Sequence, residues 1–388
     1  MKVKKIIVLG LSPTAKYVGK EAYCFDIKCL AFDFKNGVAN YSKYFEKTQI
    51  LSQSKFLKLL EDNYLNDGIT YYVCPTSDEW IEFIDANKNL FEGTNLKTSA
   101  SYLDGRYRLL ADKFKLMNLS NTIGLNYPKS ILFVPDTGNV PNLSSLDFPI
   151  FVKPSNRVGL ASIMQGKKGW FFNNKEEWNS FEELKKLEGV ELLIQEVVTG
   201  PESNLKVLGT VSSKGNKSDT WIGVKHRQYP HGFGSASLVV EDRNDNELDQ
   251  ITDKLLKETK YSGFFALETK FCNKRKKTYL IEVNTRPGLW FGATTSAKYF
   301  FVIKWCQSLG LNLNSVQENK QTEDSNLIVW KYFYKDLFVS QKKASPYSSK
   351  IKLPKQKINS YAVFDITDLK PFVFDLINSI KKIARYYL

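Results

Sequence analysis

The sequence predicts a mixed α/β protein, and three observations carry that prediction. The first hundred residues alternate short apolar runs with helical patterns. The middle of the chain holds apolar segments paired across polar turns. The 388 residues are 43% hydrophobic with a mean hydropathy of -0.32, which suits a globular chain of two or three domains with a large core.

Ile6 to Leu9 is a continuous apolar run followed by Gly10-Leu11-Ser12-Pro13-Thr14, reading as a buried strand, a turn and a helix from Ala15 to about Tyr23. A second strand, Ile27 to Phe32, ends at Asp33. A helix, Ser54 to Leu65, leads to the strand Ile69 to Val73, which ends at Cys74-Pro75-Thr76-Ser77-Asp78-Glu79. Strands alternating with helices imply a parallel, Rossmann-like sheet, with ligands at the strand C-terminal ends near Ser12 and Asp78. Gly10-Leu11-Ser12 is not a G-x-G-x-x-G fingerprint, so a nicotinamide cofactor is weakly supported, and Ser12 and Asp78 serve equally well as helix caps.

The pattern loosens from Phe91 to Leu103, a domain boundary, before Tyr107 to Leu119 resumes a helical period. A Pro-, Gly-, Asn- and Ser-rich loop, Val134 to Leu146, precedes the short strand Phe148 to Pro154. That strand carries Lys153 near its end and feeds Ser155 to Ser162, with Gly159. A lysine so placed can cradle phosphates together with loop N–H groups, although a strand-end lysine is usually just solvated. Leu192 to Val198 is a strand stopped by Thr199-Gly200-Pro201-Glu202. Lys206 to Val211 and Thr220 to Val224 read as strands joined by a polar loop, Ser212 to Asp219. Lys225 to Ala236 packs four cationic or imidazole side chains into a Gly-containing stretch that reads as a mobile loop, and Glu247 to Thr259 is an amphipathic helix.

Next comes an antiparallel hairpin, Phe264 to Phe271 and Thr278 to Asn284, across the basic connection Cys272 to Lys277. Residues two apart share a strand face, so Glu282 and Asn284 project together. Pairing Phe271 with Tyr279 would set Glu268 opposite Glu282. Two converging half-buried carboxylates repel unless a cation sits between them, and oxygen ligands without Cys or His suit magnesium or manganese. The alternative is a solvated strand face, against which the apolar neighbours Leu280, Ile281 and Val283 argue.

Net charge is +14, which can attract nucleic acid, a membrane surface or an anionic substrate. The basic runs Lys274 to Lys277 and Lys342-Lys343 lack interleaved aromatics, so nucleic acid is not expected as a partner. Five cysteines without C-x-x-C spacing and two histidines disfavour zinc and point to a reducing, cytoplasmic setting. No apolar run approaches the ~20 residues of a membrane span, and the apolar core of MKVKKIIVLGLSP is too short for a signal peptide. Beyond Gly310 the chain turns polar, and Lys342 to Lys357 reads as a loop or linker. Leu369 to Leu388 is an amphipathic helix, expected to dock on the protein's own body or, as the minority reading, on a membrane surface.

In this order the pieces resemble the ATP-grasp superfamily, and within it the carboxylate–amine ligases of the D-aspartate ligase type, over about Lys4 to Gly310. The resemblance implies a Rossmann-like domain over 1–100, a small ATP-grasp subdomain over 101–198 and a large one over 199–310. It also implies ATP held between two antiparallel sheets; 311–388 is a C-terminal extension. Asp112-Lys113 resembles the first ATP-contacting lysine, and Lys153 in Phe151-Val152-Lys153-Pro154 the second, on the α- and β-phosphates. Gln195, Glu196, Val197 and Val198 lie in the segment that meets the adenine edge, and Glu202 matches the carboxylate that takes the ribose hydroxyls. Glu268, Glu282 and Asn284 match the magnesium ligands. Arg286, in Asn284-Thr285-Arg286-Pro287-Gly288, sits where relatives contact the transferred phosphoryl group or acyl phosphate, with Lys225 or Arg227 beside it. Lys225 to Pro230 and Pro75 to Glu79 also look like that subgroup.

There are departures. One glycine follows Lys153 where many relatives have several, and Ala266 stands where D-alanine ligases carry an arginine, which argues against a D-alanyl-D-alanine product. The implied activity is ADP-forming: a carboxylate is activated as an acyl phosphate and joined to an amine, one substrate being anionic, with cell-wall or surface-glycan precursors as the expected setting. His226 is the visible candidate for a base. The alternatives are a non-catalytic basic nucleotide- or nucleic-acid-binding protein on a degenerate fold, or an ATP-grasp enzyme of different chemistry. No biotin-acceptor or glutamine-amidotransferase segment is apparent. Peripheral membrane contact and homo-oligomerisation stay open.

Overall fold

Ile6–Leu9, wholly buried, lies in the middle strand of a five-stranded parallel sheet. Strands of such a sheet are covered on both faces and therefore read as continuous apolar runs. The computed structural model describes residues 4–136, 139, 141–155, 164, 169–232, 234–313, 326–341 and 358–387. They divide into two units, Met1–Ala111 with Pro201–Glu268 and Val283–Leu388, and Asp112–Gly200 with Thr269–Glu282.

In the first unit, β1 (Lys4–Leu9), β2 (Lys28–Asp33), β3 (Lys47–Ile50), β4 (Thr70–Pro75) and β5 (Leu96–Lys97) form the parallel sheet in the order β3-β2-β1-β4-β5. Ile6 registers with Cys29 on one side and Tyr72 on the other. The sheet is Rossmann-like as expected, but β3 and β5 escape sequence reading. One is four residues of mixed polarity and the other only two, both at sheet edges. Gly10 follows β1 at φ 127°, and a Cβ there would stand 2.0 Å from the Thr76 hydroxyl. Only glycine adopts that backbone so close to a neighbour. Ser12 then caps the helix Pro13–Tyr23, accepting from the Ala15 N–H at 3.3 Å.

The second unit holds β6 (Ser130–Phe133), β7 (Ile150–Pro154), β8 (Trp170–Phe172) and β9 (Leu192–Glu196) as an antiparallel sheet in the order β6-β9-β7-β8. Its core gathers Ile150, Val152, Trp170, Phe172, Trp178 and Ile194. The expected helix Tyr107 to Leu119 is two helices, Tyr107–Ala111 and Lys113–Thr122. Asp112 breaks the run because its carboxylate accepts the Phe114 and Lys115 N–H groups and starts the second helix. The expected phosphate loop after Ser155 and the linker 342–357 lie outside the described residues.

A mixed sheet, antiparallel except for its last pair β16–β17, comprises β10 (Leu205–Ser213), β11 (Asn216–Lys217), β12 (Trp221–Tyr229), β13 (Ser235–Asp242), β14 (Gly263–Cys272), β15 (Lys277–Asn284), β16 (Val329–Lys331) and β17 (Ser360–Tyr361). Its order is β15-β14-β10-β12-β13-β16-β17, with β11 on β10. The expected hairpin is therefore present as β14 and β15. The basic stretch Lys225 to Ala236, read as a loop, is instead the end of β12, a turn and the start of β13. Cations on an interior strand mask its β pattern. Trp221 and Trp290 stack at 5.1 Å, and Gly209 on β10 leaves room for Trp290, whose ring would lie 2.8 Å from a Cβ.

Three buried ionisable side chains tie distant segments of the first unit together. Asp365 accepts from Lys20 at 2.8 Å and from the Tyr44 hydroxyl at 2.7 Å, while Lys16, wholly buried, donates to the Val363 carbonyl at 2.8 Å. Burial brings the Lys16 pKa down to about 8, against the pull of Asp365. Glu21, equally buried, caps the helix Phe301–Ser308 from outside: its carboxylate accepts the Val302 and Ile303 N–H groups at 2.6 and 3.1 Å. Phe300 precedes that helix in the left-handed region and has no oxygen to offer as a cap.

Burial raises the Glu21 pKa from 4.5 to about 7, outweighing the hydrogen bonds that favour its charged form. The folded state thus holds this proton more tightly, and Glu21's contribution is fullest below pH 4.5 and is lost as pH rises through 7. Thermal unfolding of Glu21→Gln should lack that component of the pH dependence, whereas Glu21→Ala, leaving two amides orphaned, should cost about 2 kcal/mol. An unchanged pH slope in the Gln variant would contradict this assignment.

Candidate active site

Of the candidate ligands, Glu268 lies on β14 and Glu282 and Asn284 on β15, all partly exposed. In the first unit Glu268 is met by Lys225, whose ammonium lies 2.7 Å from Oε2 and which is almost entirely buried. A buried ammonium without a counter-charge is strongly disfavoured, so this pair places both groups. Arg227 goes elsewhere. The register of β12 against β13 shifts between Lys225 and Arg227 and again before Gln228, and such bulges re-aim side chains. Arg227 is thereby delivered to Asp336, with two bonds of 2.6 and 2.7 Å, and Lys331 binds the same carboxylate at 3.0 Å. His226, between them, has a buried Nδ1 with no hydrogen-bond partner, and burial, reinforced by Arg227, lowers its pKa and keeps the ring neutral at pH 7.

Arg286 reaches the C-terminal edge of the parallel sheet. Its guanidinium holds Asp78 through Nε at 2.8 Å and Nη2 at 3.1 Å. Ser77, rather than Asp78, caps the helix Asp78–Ala86. The turn before Arg286 is fixed by two buried tyrosines. Tyr102 and Tyr261 both donate their hydroxyls to the Thr285 carbonyl, at 2.6 and 3.1 Å. Glu202 is buried too, and accepts the Gly232 N–H at 2.6 Å and the Gln228 N–H at 3.2 Å, with His231 Nδ1 at 3.6 Å.

In the second unit Lys113 opens its helix directly after the Asp112 cap. Lys153, on β7, donates to Gln195 Oε1 at 3.2 Å, and Gln195 donates in turn to the Ser130 hydroxyl at 2.9 Å. Phe151 and Gln195 are register partners, so the β7–β9 pairing itself brings Lys153 and Gln195 close. Glu196 and Val197 donate their N–H groups to the Lys129 and Pro149 carbonyls, both at 2.9 Å. Val198 packs with Cys272 and Tyr279. The Glu196 side chain is fully engaged within this unit: it accepts the Asp147 N–H at 2.9 Å and pairs with Arg275 at 2.6 Å. Tyr127 is buried in this unit, and burial raises its pKa to about 12.

Tyr102, Tyr261, Asp336 and Arg275 are the residues that sequence reasoning misses. Nothing in the spacing of an isolated tyrosine or of an arginine within Asn273-Lys274-Arg275-Lys276 marks its distant partner.

No family model matches the chain. Among curated proteins it is 22% identical over 255 residues to a D-aspartate ligase of Enterococcus faecium, covering 63% of this chain and 59% of that protein. It is 24% identical over 183 residues to a carbamoyl-phosphate synthase of Methanobrevibacter smithii, covering 46% and 47%. The chain thus spans about three fifths and one half of these relatives. Among solved structures, an N5-carboxyaminoimidazole synthetase from Staphylococcus aureus complexed with ADP aligns at a TM-score of 0.61 and 14% identity, over 81% of this chain and 80% of that one. An L-amino acid ligase from Bacillus licheniformis aligns at 0.59 and 16%, over 80% and 74%. The fold is that of the ATP-grasp enzymes. Within them the sequence resembles the carboxylate–amine ligases.

Because Arg275 is what compensates the buried Glu196 charge, Arg275→Ala should lower stability by about 3 kcal/mol in denaturant unfolding. Arg275→Ala combined with Glu196→Gln should recover most of it. Equal losses in the single and double variants would show that the pair is not the cause.

Proposed function

We propose that the protein is an ADP-forming ligase that joins a small carboxylate to an amine. The observation that carries this reading is the placement of Arg286: on an ATP-grasp fold, the residue matching the phosphoryl contact stands at the ligand-binding edge of the parallel sheet, held by Asp78. In the proposed reaction the substrate carboxylate attacks the γ-phosphate of ATP, releasing ADP and forming an acyl phosphate. The amine then displaces phosphate and leaves an amide.

The residue types suit that chemistry, which relies on positioning and charge neutralisation rather than a protein nucleophile. Lys113 and Lys153 would offset phosphate charge. Gln195 orients Lys153, and the segment through Val197 and Val198 would take the adenine edge; with the Glu196 and Val197 amides already committed, Val198 is the proposed donor. Glu202 has both carboxylate oxygens held by backbone amides and each can still accept a further hydrogen bond, which supports its proposed ribose role.

Glu268, Glu282 and Asn284 fit magnesium or manganese by donor chemistry: hard oxygens, partly exposed, with one carboxylate already partnered by Lys225. A divalent ion held there would neutralise phosphate charge during transfer. Lys225 is the better placed of the two basic candidates to follow charge at that carboxylate, since Arg227 is committed to Asp336. The anionic substrate and the cell-wall or surface-glycan setting rest on the basic residues around this site and on the likeness to a D-aspartate ligase.

Phosphate release from ATP with magnesium, across amino acids paired with amine acceptors, tests the reading. One carboxylate–amine pair should stimulate release, and Glu282→Gln should reduce it about a hundredfold. Arg286→Lys, which loses the two-pronged contact with Asp78, should weaken turnover by about tenfold without unfolding the protein. Release that ignores every pair, or survives Glu282→Gln, would refute the ligase assignment.

A further inference from the structure

Among the described side chains, the helix Lys370–Tyr387 attaches to the first unit by one side. Phe372 stacks on Tyr334 at 5.7 Å, Phe374 stacks on Tyr41 at 4.3 Å, and the Tyr332 hydroxyl donates to Asp375 at 3.3 Å. The opposite side is apolar and open. Leu369, Val373, Ile377 and Ile380 are 48, 50, 47 and 55% exposed, and Ile366, just before the helix, is 78% exposed. At the helical advance per residue, Leu369, Val373, Ile377 and Ile380 lie within about 40° of one line along the axis. A contiguous row of large aliphatic side chains in water marks an interaction surface.

Its rim is cationic. Lys370 and Lys381 flank one edge of the row, and Lys43 stands at its start, where its N–H donates to Asp368 at 3.2 Å. Lys382 and Arg385 follow in the sequence, and the helix's single acid, Asp375, is turned to Tyr332. We propose that this face docks on an anionic lipid surface, with the aliphatic row entering the headgroup boundary and the lysines meeting lipid phosphates. A second copy of the chain fits less well. A two-fold antiparallel pairing centred on Val373 to Ile377 sets Lys370 of each copy against Lys381 of the other, like charge on like. An anionic bilayer satisfies the row and its rim together. Among the described residues no helix is long and apolar enough to cross a membrane, so the contact is peripheral. This inference is independent of the ligase reading.

Co-sedimentation of the full chain with phosphatidylcholine vesicles, with and without phosphatidylglycerol, tests it. The protein should partition onto the phosphatidylglycerol vesicles, and Val373→Glu with Ile377→Glu should reduce the bound fraction about tenfold. Lys370→Gln with Lys381→Gln should weaken binding and flatten its salt dependence. An unchanged melting temperature shows that each variant is folded. No binding by the parent protein, equal binding to both vesicle types, or equal binding by the glutamate variant would overturn the proposal. So would a concentration-dependent dimer, abolished by the glutamates, in the absence of vesicle binding.

Discussion

Charge that is buried has to be matched, and the pairing of Lys225 with Glu268 is the place where the candidate site depends on this most directly. A nearly inaccessible ammonium on β12 holds a carboxylate on β14 at 2.7 Å, across the intervening β10. Removing either partner would leave an uncompensated charge in a low-dielectric setting. The same residue that stabilises the sheet is therefore positioned to respond to any charge that arrives at Glu268. Arg227, two residues on, shows how narrowly this is set: two register shifts send it to Asp336 instead.

The C-terminal part of the chain is woven into the rest of the first unit. Asp336 receives Arg227 and Lys331, Asp365 receives Lys20 and Tyr44, and β16 and β17 extend the sheet beyond β13. Helix Phe333–Gln341 also meets the β12–β13 turn through His231, whose Nε2 is 3.3 Å from the Val339 carbonyl. The turn that supplies Gly232 to Glu202 is thus held by residues that lie a hundred positions later. Such long-range pairs leave no trace in local composition.

Much of the architecture is legible in the sequence because it rests on short-range patterns. Ile6 to Leu9, the Ser12 cap, the hairpin of β14 and β15 and the helix Asn246–Thr259 each follow from periodicity, capping chemistry or turn residues. Legibility ends where tertiary contacts override those patterns. The second half of β12 carries Lys225, His226 and Arg227 and so reads as a loop, yet its pairing with β13 supplies the backbone partners that make it a strand. The two-residue strands β5 and β17 exist only because a neighbouring strand is there to pair with them.

The sequence by itself determined the chemistry available: which lysines, carboxylates and arginines stand at spacings that resemble ATP-grasp ligases, and which segments alternate as strands. Tertiary structure alone decided which of these groups meet. Lys225 faces Glu268 while Arg227 faces Asp336, Arg286 grips Asp78, and Tyr102 and Tyr261 fasten the Thr285 carbonyl. The physical reason is that propensity and periodicity act over a few residues. The compensation of buried charge and of buried hydrogen-bonding groups is settled by whichever partner the completed fold brings within about 3 Å.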